Sequence, residues 1–431
     1  MIAAIRFGLG PRPDDQPMTD PAAALKAQLR TPPPALPMPD GWERMPTVTD
    51  GLSIWRQDDL TPVEPGKLSW STQFYRLECT AQVRTTIASA TPFRERLVMF
   101  WTNHLTVSTR EGSVRVLAGD YVRTVIRPHV IGSFADMLVA SVRHPAMLLY
   151  LNQSSSVGPN SPLGLRQKRG LNENLAREIL ELHTLSPAAG YTQADVTEFA
   201  RLLTGLMVER FREPIGARFQ PEAHEPGAKT ILGKRFDEGP DQIEAALRWL
   251  AGHEATHRHL ARKLARHFVA DAPPPAVVDR LFAVLRDSGG DLGLVAEALV
   301  DTPEAWAEPL GKIRTAQDFI FASHRLLSSG PDLSGLALGN MINLSQDLWA
   351  APAPIGWPDT AADWMHPEAA IQRMEIAYNL AGRFSRLNPN DMLDIALGPL
   401  ARAETIQAVR RAGSPRDGLT LLMASPEFQR R

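Results

Sequence analysis

The placement of proline limits this chain before anything else does. Its 36 prolines fall in clusters. Each ring removes a backbone donor and crowds the preceding turn, so no helix interior runs through a cluster. The stretch 31–40, with prolines at 32, 33, 34, 37 and 39, is therefore expected to be an extended linker after a short helical arm at 21–29. The stretch "APAPIGWPD" (351–359) is excluded from helix on the same ground. Between the clusters, apolar residues return every three to four positions. Thr91 followed by Pro92 marks a helix start, and Phe93, Leu97, Phe100, Trp101 and His104 then form one apolar face ending in a histidine. Comparable patterns occupy 72–90, 119–151, 171–185, 192–206, 241–251, 254–269, 276–287, 292–300, 315–328 and the chain from 367 onward. The stretch 207–241, rich in glycine, proline and charge, breaks the pattern and suggests a short β-hairpin around 229–236. No repeat of 20 to 50 residues appears. The expectation is an all-α, multi-helical protein with a short irregular or β-hairpin insertion around 207–241. It divides into an N-terminal arm and proline-rich linker (1–40), a helical region holding the candidate site (41–206), the insertion (207–241) and a C-terminal helical region (242–431).

Charge and cysteine content narrow the function classes. The 46 basic and 48 acidic side chains leave a net charge of −2, so nothing global attracts nucleic acid, and no nucleic-acid partner is expected. The single cysteine, Cys79, rules out an intrachain disulfide framework and any multi-cysteine metal site within one chain. The most apolar stretch, 137–151, is interrupted by Arg143, His144 and Pro145, short of the ~20 residues a transmembrane helix needs. Arg6, Gly8, Gly10 and Pro11 interrupt the N-terminus before a secretory signal could form. A cytoplasmic location is expected as the chain stands; the alternative is the periplasm or cell envelope, reached after removal of a leader or together with a partner.

Four constellations carry potential chemistry. In "NENLAREILELH" (172–183), Asn174, Glu178 and Glu181 share one helical face, and Asn172, Ile179 and His183 another. Two carboxylates and a histidine at one helix end suit metal ligation or acid/base work. The plainer alternative is ion pairing among Glu173, Arg177 and Glu181, with Leu175, Ile179 and Leu182 in the core. In "WTNHL" (101–105), Asn103 and His104 end an aromatic face, where a histidine also serves well as a core or capping residue. The segment "HEATH" (253–257) matches a zinc-protease pattern, but Leu260 and Lys263 stand where its longer form needs glycine and histidine. A helix start without zinc is expected there, with Leu260, Leu264 and Phe268 inward and Arg258, Arg262, Lys263 and Arg266 facing solvent. Finally, Arg166, Lys168 and Arg169 lie in a polar loop, 152–170, just before the helix bearing His183, suited to an anionic group or acidic partner. The alternative for that loop is a solvated, mobile segment.

The stretches "RFGLGPRP" (6–13), "FRERLVMFWTNHLTVS" (93–108), "HPAMLLYLNQSSSVGPNSPLG" (144–164), "GLNENLAREILELHTL" (170–185), "GYTQADVTEFARLLTG" (190–205) and "GWPDTAADW" (356–364) together resemble the bacterial family called domain of unknown function 1800. The resemblance implies a helical fold and leaves the activity unassigned. It also implies a partner, because genes of this family often neighbour one for a phosphatase/sulfatase-like family with export signals. The family pattern carries over to Asn103, His104, Asn172, Glu173, Asn174, Arg177, Glu178, Glu181, His183, Tyr191, Gln193 and Asp195. This chain departs from it at Glu254 and His257, and at Ser186 and Pro187, where family members show a glycine. Two functions follow as expectations. One is a hydrolase-like or metal-assisted enzyme acting with that partner. In it His104, Glu178, Glu181 and His183 are catalytic, a divalent metal of unknown identity is the candidate cofactor, and Asn103, Asn172, Asn174, Arg177, Tyr191, Gln193, Arg166, Lys168 and Arg169 bind. The other is a non-catalytic binding or assembly subunit for the same partner, with Trp357 and Trp364 exposed at the interface.

Overall fold

A computed structural model describes residues 1–32, 36–61 and 63–431. Apolar spacing has become helix through most of the chain. Pro92–His104, Gln193–Leu203, Pro240–Ala251, Glu254–Phe268, Pro275–Asp287, Leu292–Val300 and Ala316–Leu326 form where the periodicity places them. Pro37 and Pro39 of the linker are non-helical, whereas Pro33 and Pro34 lie outside the described residues. Val48–Leu60 is an additional helix with a weak apolar period. Its Gly51 packs so closely that a Cβ would stand 2.1 Å from the Val116 carbonyl oxygen, a tertiary approach with no local signature.

Two segments differ from expectation in form. The block 119–151 is five short elements, Ala118–Tyr121, the π-turn Val122–Ile126, Arg127–His129, Phe134–Arg143 and Pro145–Tyr150. Pro128, Gly132 and Pro145 interrupt its apolar pattern. The loop 152–170 is packed structure: Ser161 caps a helix, Pro162–Gln167, and Val157 and Leu163 pack on Ala223. Its serines and glycines serve as caps and close contacts. A Cβ on Gly158 would meet the Glu225 backbone at 2.6 Å.

The insertion holds two antiparallel hairpins. Leu206–Glu209 pairs with Gly216–Phe219, placing Leu206 opposite Phe219, and Lys229–Ile231 pairs with Lys234–Phe236. All four sequence regions share one apolar core, which runs from Ala3 and Phe7 to Phe428. Phe7 meets Phe93, Phe268 and Trp306 with ring centroids 5.0–6.2 Å apart, a burial that stabilises by about 1.5–3 kcal/mol. Trp364 is 7% exposed and Trp357 only partly exposed, so the expected aromatic interface is corrected. The Trp364 indole N–H donates to the Pro358 carbonyl at 2.9 Å, and the proline-rich segment folds over the ring pair.

Candidate functional site

The helix bearing the candidate residues changes pitch where they lie. Asn174–Glu178 is α-helical, and Ile179–His183 is a π-turn. The Thr184 N–H reaches back five residues to the Ile179 carbonyl at 2.9 Å, and the Thr184 hydroxyl donates to the same oxygen at 2.6 Å. The wider turn moves Leu180 and His183 into the core and leaves Leu182 only partly buried, where an α-period would have buried Leu182. Such turns gather at functional sites. The segment leaves the turn through Ser186 at φ 68° and ψ 160°, a region open in practice only to glycine, and this is the position where the family resemblance places a glycine.

Around the turn stand three imidazoles and an amine. His104 donates its Nε2–H to the His183 carbonyl at 3.1 Å, and His259 donates to the Leu182 carbonyl at 3.1 Å. A carbonyl only accepts, so each donating nitrogen carries the proton, and the neutral ring of His104 keeps a bare lone pair on Nδ1. That Nδ1 is buried without a partner. His183 itself is wholly buried, and neither of its ring nitrogens has a partner. The His104 ring lies 6.3 Å from that of His183 and 6.1 Å from that of His259. Burial first, then the nearby charge of Lys263, pushes His183 down to about 3 and His259 to about 4, and holds His104 well below its ordinary range. Burial lowers the Lys263 ammonium to about 8 against an opposing pull from Asp359, and no hydrogen bond contributes. Lys263 is half-buried, where a fully solvent-facing position was expected; the Leu260, Leu264 and Phe268 face of its helix is buried as expected.

The other sequence candidates fall into two sets. Glu173, Arg177, Gln193 and Thr197 satisfy one another: Arg177 donates to Glu173 at 3.2 Å and to Gln193 at 2.9 Å, and Gln193 and Thr197 donate to Glu173 at 2.8 and 2.6 Å. Asn172 accepts from the Asn174 N–H, and Asp195 closes a capping box with Thr192. This network joins the π-turn helix to Gln193–Leu203. Glu178 and Glu181 lie on the outer side of the turn, where their charges act on Tyr150 and Tyr191. Burial, then Glu181, raises the Glu178 carboxyl, and burial with Glu178 pushes Tyr150 up to about 12. The charges acting on His183 are those of Lys263 and His259. The turn therefore sends its imidazole inward and its carboxylates outward.

Asn103 is engaged with the "GWPD" segment: its Oδ1 accepts from the Trp357 N–H at 2.7 Å and its Nδ2 donates to the Trp357 carbonyl at 2.9 Å. Arg166 pairs with Glu222 at 3.5 Å, Arg169 donates to the Ser155 carbonyl at 2.9 Å, and Lys168 ends its helix at φ 54°. The "HEATH" segment begins a helix, with the His253 Nδ1 accepting from the Ala255 N–H at 3.1 Å. Among the described residues, no group of three or more His, Cys, Asp or Glu side chains is gathered as a metal site requires. Nor is any helix among them long and apolar enough to cross a membrane. His259 and Lys263 were not foreseen as site residues. Their i, i+4 spacing was visible, but it resembled the solvated face of a cationic helix.

Fold and site together define an all-α protein in which the buried His104 and His183 and the half-buried His259 and Lys263 gather around a π-turn. The family model described as "Protein of unknown function (DUF1800)" matches residues 2–430, and the chain belongs to that family. No curated protein and no solved structure matches it.

Proposed function

We propose that the protein is a hydrolase-like enzyme in which His183 and Lys263 move the protons. His104 and His259 position the turn, and Glu178 and Glu181 lie on its outer side. The observation that carries this reading is the His183 ring, fully buried with neither nitrogen bonded. Leaving a buried polar group unpaired costs about 1–3 kcal/mol, and such groups concentrate where a reacting molecule completes the hydrogen bonding. A polar substrate and its water brought against His183 would relieve the burial that holds the ring at about 3, and the water would then lose a proton to the ring as its oxygen attacks an electrophilic ester centre. The Lys263 ammonium, acidified toward neutrality, would return a proton to the departing oxygen. One O–H bond of water and the scissile bond break, the new bond to the electrophile and the O–H of the leaving group form, and the proton held by the His183 imidazolium passes to the Lys263 amine, restoring both groups.

The competing function, a binding or assembly subunit for a phosphatase/sulfatase-like partner, is favoured by the Glu173–Arg177–Gln193–Thr197 network, which is complete within the chain. Turnover of p-nitrophenyl acetate, phosphate and sulfate by wild-type, His183→Leu and Lys263→Met proteins separates the two. The enzyme reading expects at least a roughly hundredfold loss in each variant with the circular dichroism spectrum unchanged. Wild-type rates in a folded double variant would overturn it, and the absence of turnover by wild-type protein favours the subunit. A stoichiometric divalent ion in purified protein, lost in His183→Leu, would replace the proton-transfer chemistry with a metal-assisted one.

A further inference from the structure

The loop that joins Ala316–Leu326 to Ser334–Asn343 closes one side of a cavity of about 340 Å³. That volume falls in the range of small-molecule sites, about 300–1,000 Å³. The loop contributes Ser329, and the end of the helix before it contributes His324 and Arg325. Arg84, near the end of the Trp70–Ala88 helix, and Arg12 with Asp14, from the N-terminal stretch, complete the polar lining. The wall thus carries three guanidinium groups and one carboxylate, and the Asp14 side chain that bears it is 72% exposed.

Two of these side chains are fully buried with bonds left unmade. Arg325, 1% exposed, donates its Nε–H to the Gly10 carbonyl at 3.1 Å and its Nη1 hydrogens to those of Ile87 and Ser89 at 2.8 and 3.0 Å. Its Nη2 makes no hydrogen bond among the described residues, and the Asp15 Oδ2 stands 3.8 Å away, beyond bonding reach. A guanidinium has five N–H groups, so the Nη2 pair is left for another acceptor. His324 holds its Nδ1 2.7 Å from the Ser329 hydroxyl, and its Nε2 is buried with no partner. Arg84 spends both terminal nitrogens on Asp40, at 2.7 and 3.1 Å, and its buried Nε–H stays unbonded. Asp40 and Asp15 therefore answer Arg84 and Arg12 from outside the lining, and the bonds still open on the wall belong chiefly to N–H donors. Burial, then the charge of Arg12, lowers Arg325 to about 10 against an opposing pull from Asp15 and Asp14. A buried cation so placed is stabilised by an acceptor that carries negative charge, because charge-assisted bonds are roughly twice as strong as neutral ones.

We propose that this cavity binds a small molecule through an oxyanion, a carboxylate or a phosphoryl group, seated against the Arg325 Nη2 with His324 and Arg84 beside it. The site shares no residue with the imidazole cluster around the π-turn. Calorimetric titration of full-length protein with phenyl phosphate, benzoate and neutral benzyl alcohol tests it. Saturable one-to-one binding of at least one anion is expected, the tighter of the two identifying the group, with benzyl alcohol at least about tenfold weaker. Affinity for that anion is expected to fall at least about tenfold in Arg325→Met and at least about threefold in Arg84→Met. Arg325→Met also removes bonds to three backbone carbonyls, so thermal melting checks its fold, and Arg84→Met decides the matter if it does not fold. The same anion is expected to bind His183→Leu as it binds wild-type protein, which separates this cavity from the proposed hydrolytic site. Absence of saturable binding of both anions, equal affinity for benzyl alcohol, undiminished binding in a folded arginine variant, or loss of binding in His183→Leu would overturn the proposal.

Discussion

Two clusters of buried polar side chains are built on the same two helices, Pro92–His104 and Glu254–Phe268, and they resolve burial in opposite ways. In one, charge meets charge. The Arg96 guanidinium lies 3.0 Å and that of Arg431 2.9 Å from Asp318, His267 bonds Asp359 at 2.7 Å, and Lys312 reaches Asp271 at 2.6 Å and the Asp359 carbonyl at 2.9 Å. Burial alone would raise both carboxyls. Arg96 and Arg431 outweigh it at Asp318 and hold that group below its ordinary range, and His267, Lys312 and Arg431 hold Asp359 at about 2. In the other cluster, no carboxylate hydrogen-bonds His104, His183, His259 or Lys263, Asp359 acting on Lys263 only through space, three ring nitrogens of His104 and His183 go unbonded, and the imidazoles stay neutral. The first cluster pairs its charges within the chain and reads as structure, although the His267 Nε2 and the Arg431 Nε and Nη2 make no hydrogen bond. The second leaves the His183 ring without a partner within the chain.

The sharpest way to break this contrast is to remove one charge from the complete cluster. Asp318→Asn leaves Arg96 and Arg431 buried without their counter-charge, and a loss of about 3–5 kcal/mol in urea unfolding is expected. His183→Leu, by contrast, exchanges an unbonded imidazole for an apolar group of similar size and should leave stability unchanged or raise it by up to about 1–3 kcal/mol. Equal losses at the two positions would erase the distinction.

Acid should act first on the buried imidazoles of both clusters, since His267 of the charged one is also lowered to about 4, and then on the carboxyls. His183 and His259 sit at about 3 and 4 when folded against 6.5 ordinarily, so below pH 6.5 the unfolded chain binds more protons. Stability therefore falls as pH drops from 6.5 toward 4, by up to about 1.4 kcal/mol per pH unit for each imidazole. Asp318 and Asp359 are depressed below 3.8, so their contribution is present above that pH and is lost as pH falls toward 2. Urea midpoints from pH 7 to pH 2.5 should show both windows, with His183→Leu flattening only the upper one. A profile unchanged by that variant would contradict the neutral buried ring.

A smaller effect is expected at the strained exit of the π-turn. Ser186→Gly relieves a backbone conformation that serine resists, and should raise stability by about 1 kcal/mol. No gain in the urea midpoint would mean that the serine is not strained. The smallest effect belongs to the basic residues of 152–170. Arg166 is mostly exposed in its pair with Glu222, and the Arg166→Ala/Arg169→Ala double variant should shift stability by no more than about 0.5 kcal/mol. A larger loss would place these cations, like Arg96, among the structural ones.

The contrast also separates what was legible in the residues from what was not. The Thr192 and Asp195 box and the "HEATH" helix start were visible because a helix N-terminus is often satisfied by side chains within three residues of it, and Thr91 with Pro92 because proline suits the first helical position; the Phe93 N–H there is met by the distant Gln28. The apolar face from Phe93 to His104 was visible because burial of one side of a helix leaves a period in the sequence. The π-turn was not, since a period of 3.6 predicts Leu182 inward and only the bond from Thr184 to Ile179 shows the wider pitch. Lys263 could not be distinguished from Arg262 and Arg266, because the groups that decide its environment, His104, His183 and Asp359, lie about 80 to 160 positions away in the chain. Sequence by itself therefore determined most of the helical segments (though not Val48–Leu60 or Pro162–Gln167), where most of them begin and which of their faces are apolar, all consequences of contacts within a turn or two. Tertiary structure alone decided which buried polar groups find partners. Hydrogen bonds and ion pairs act over a few ångströms, and only the folded chain brings residues so distant in sequence within that reach.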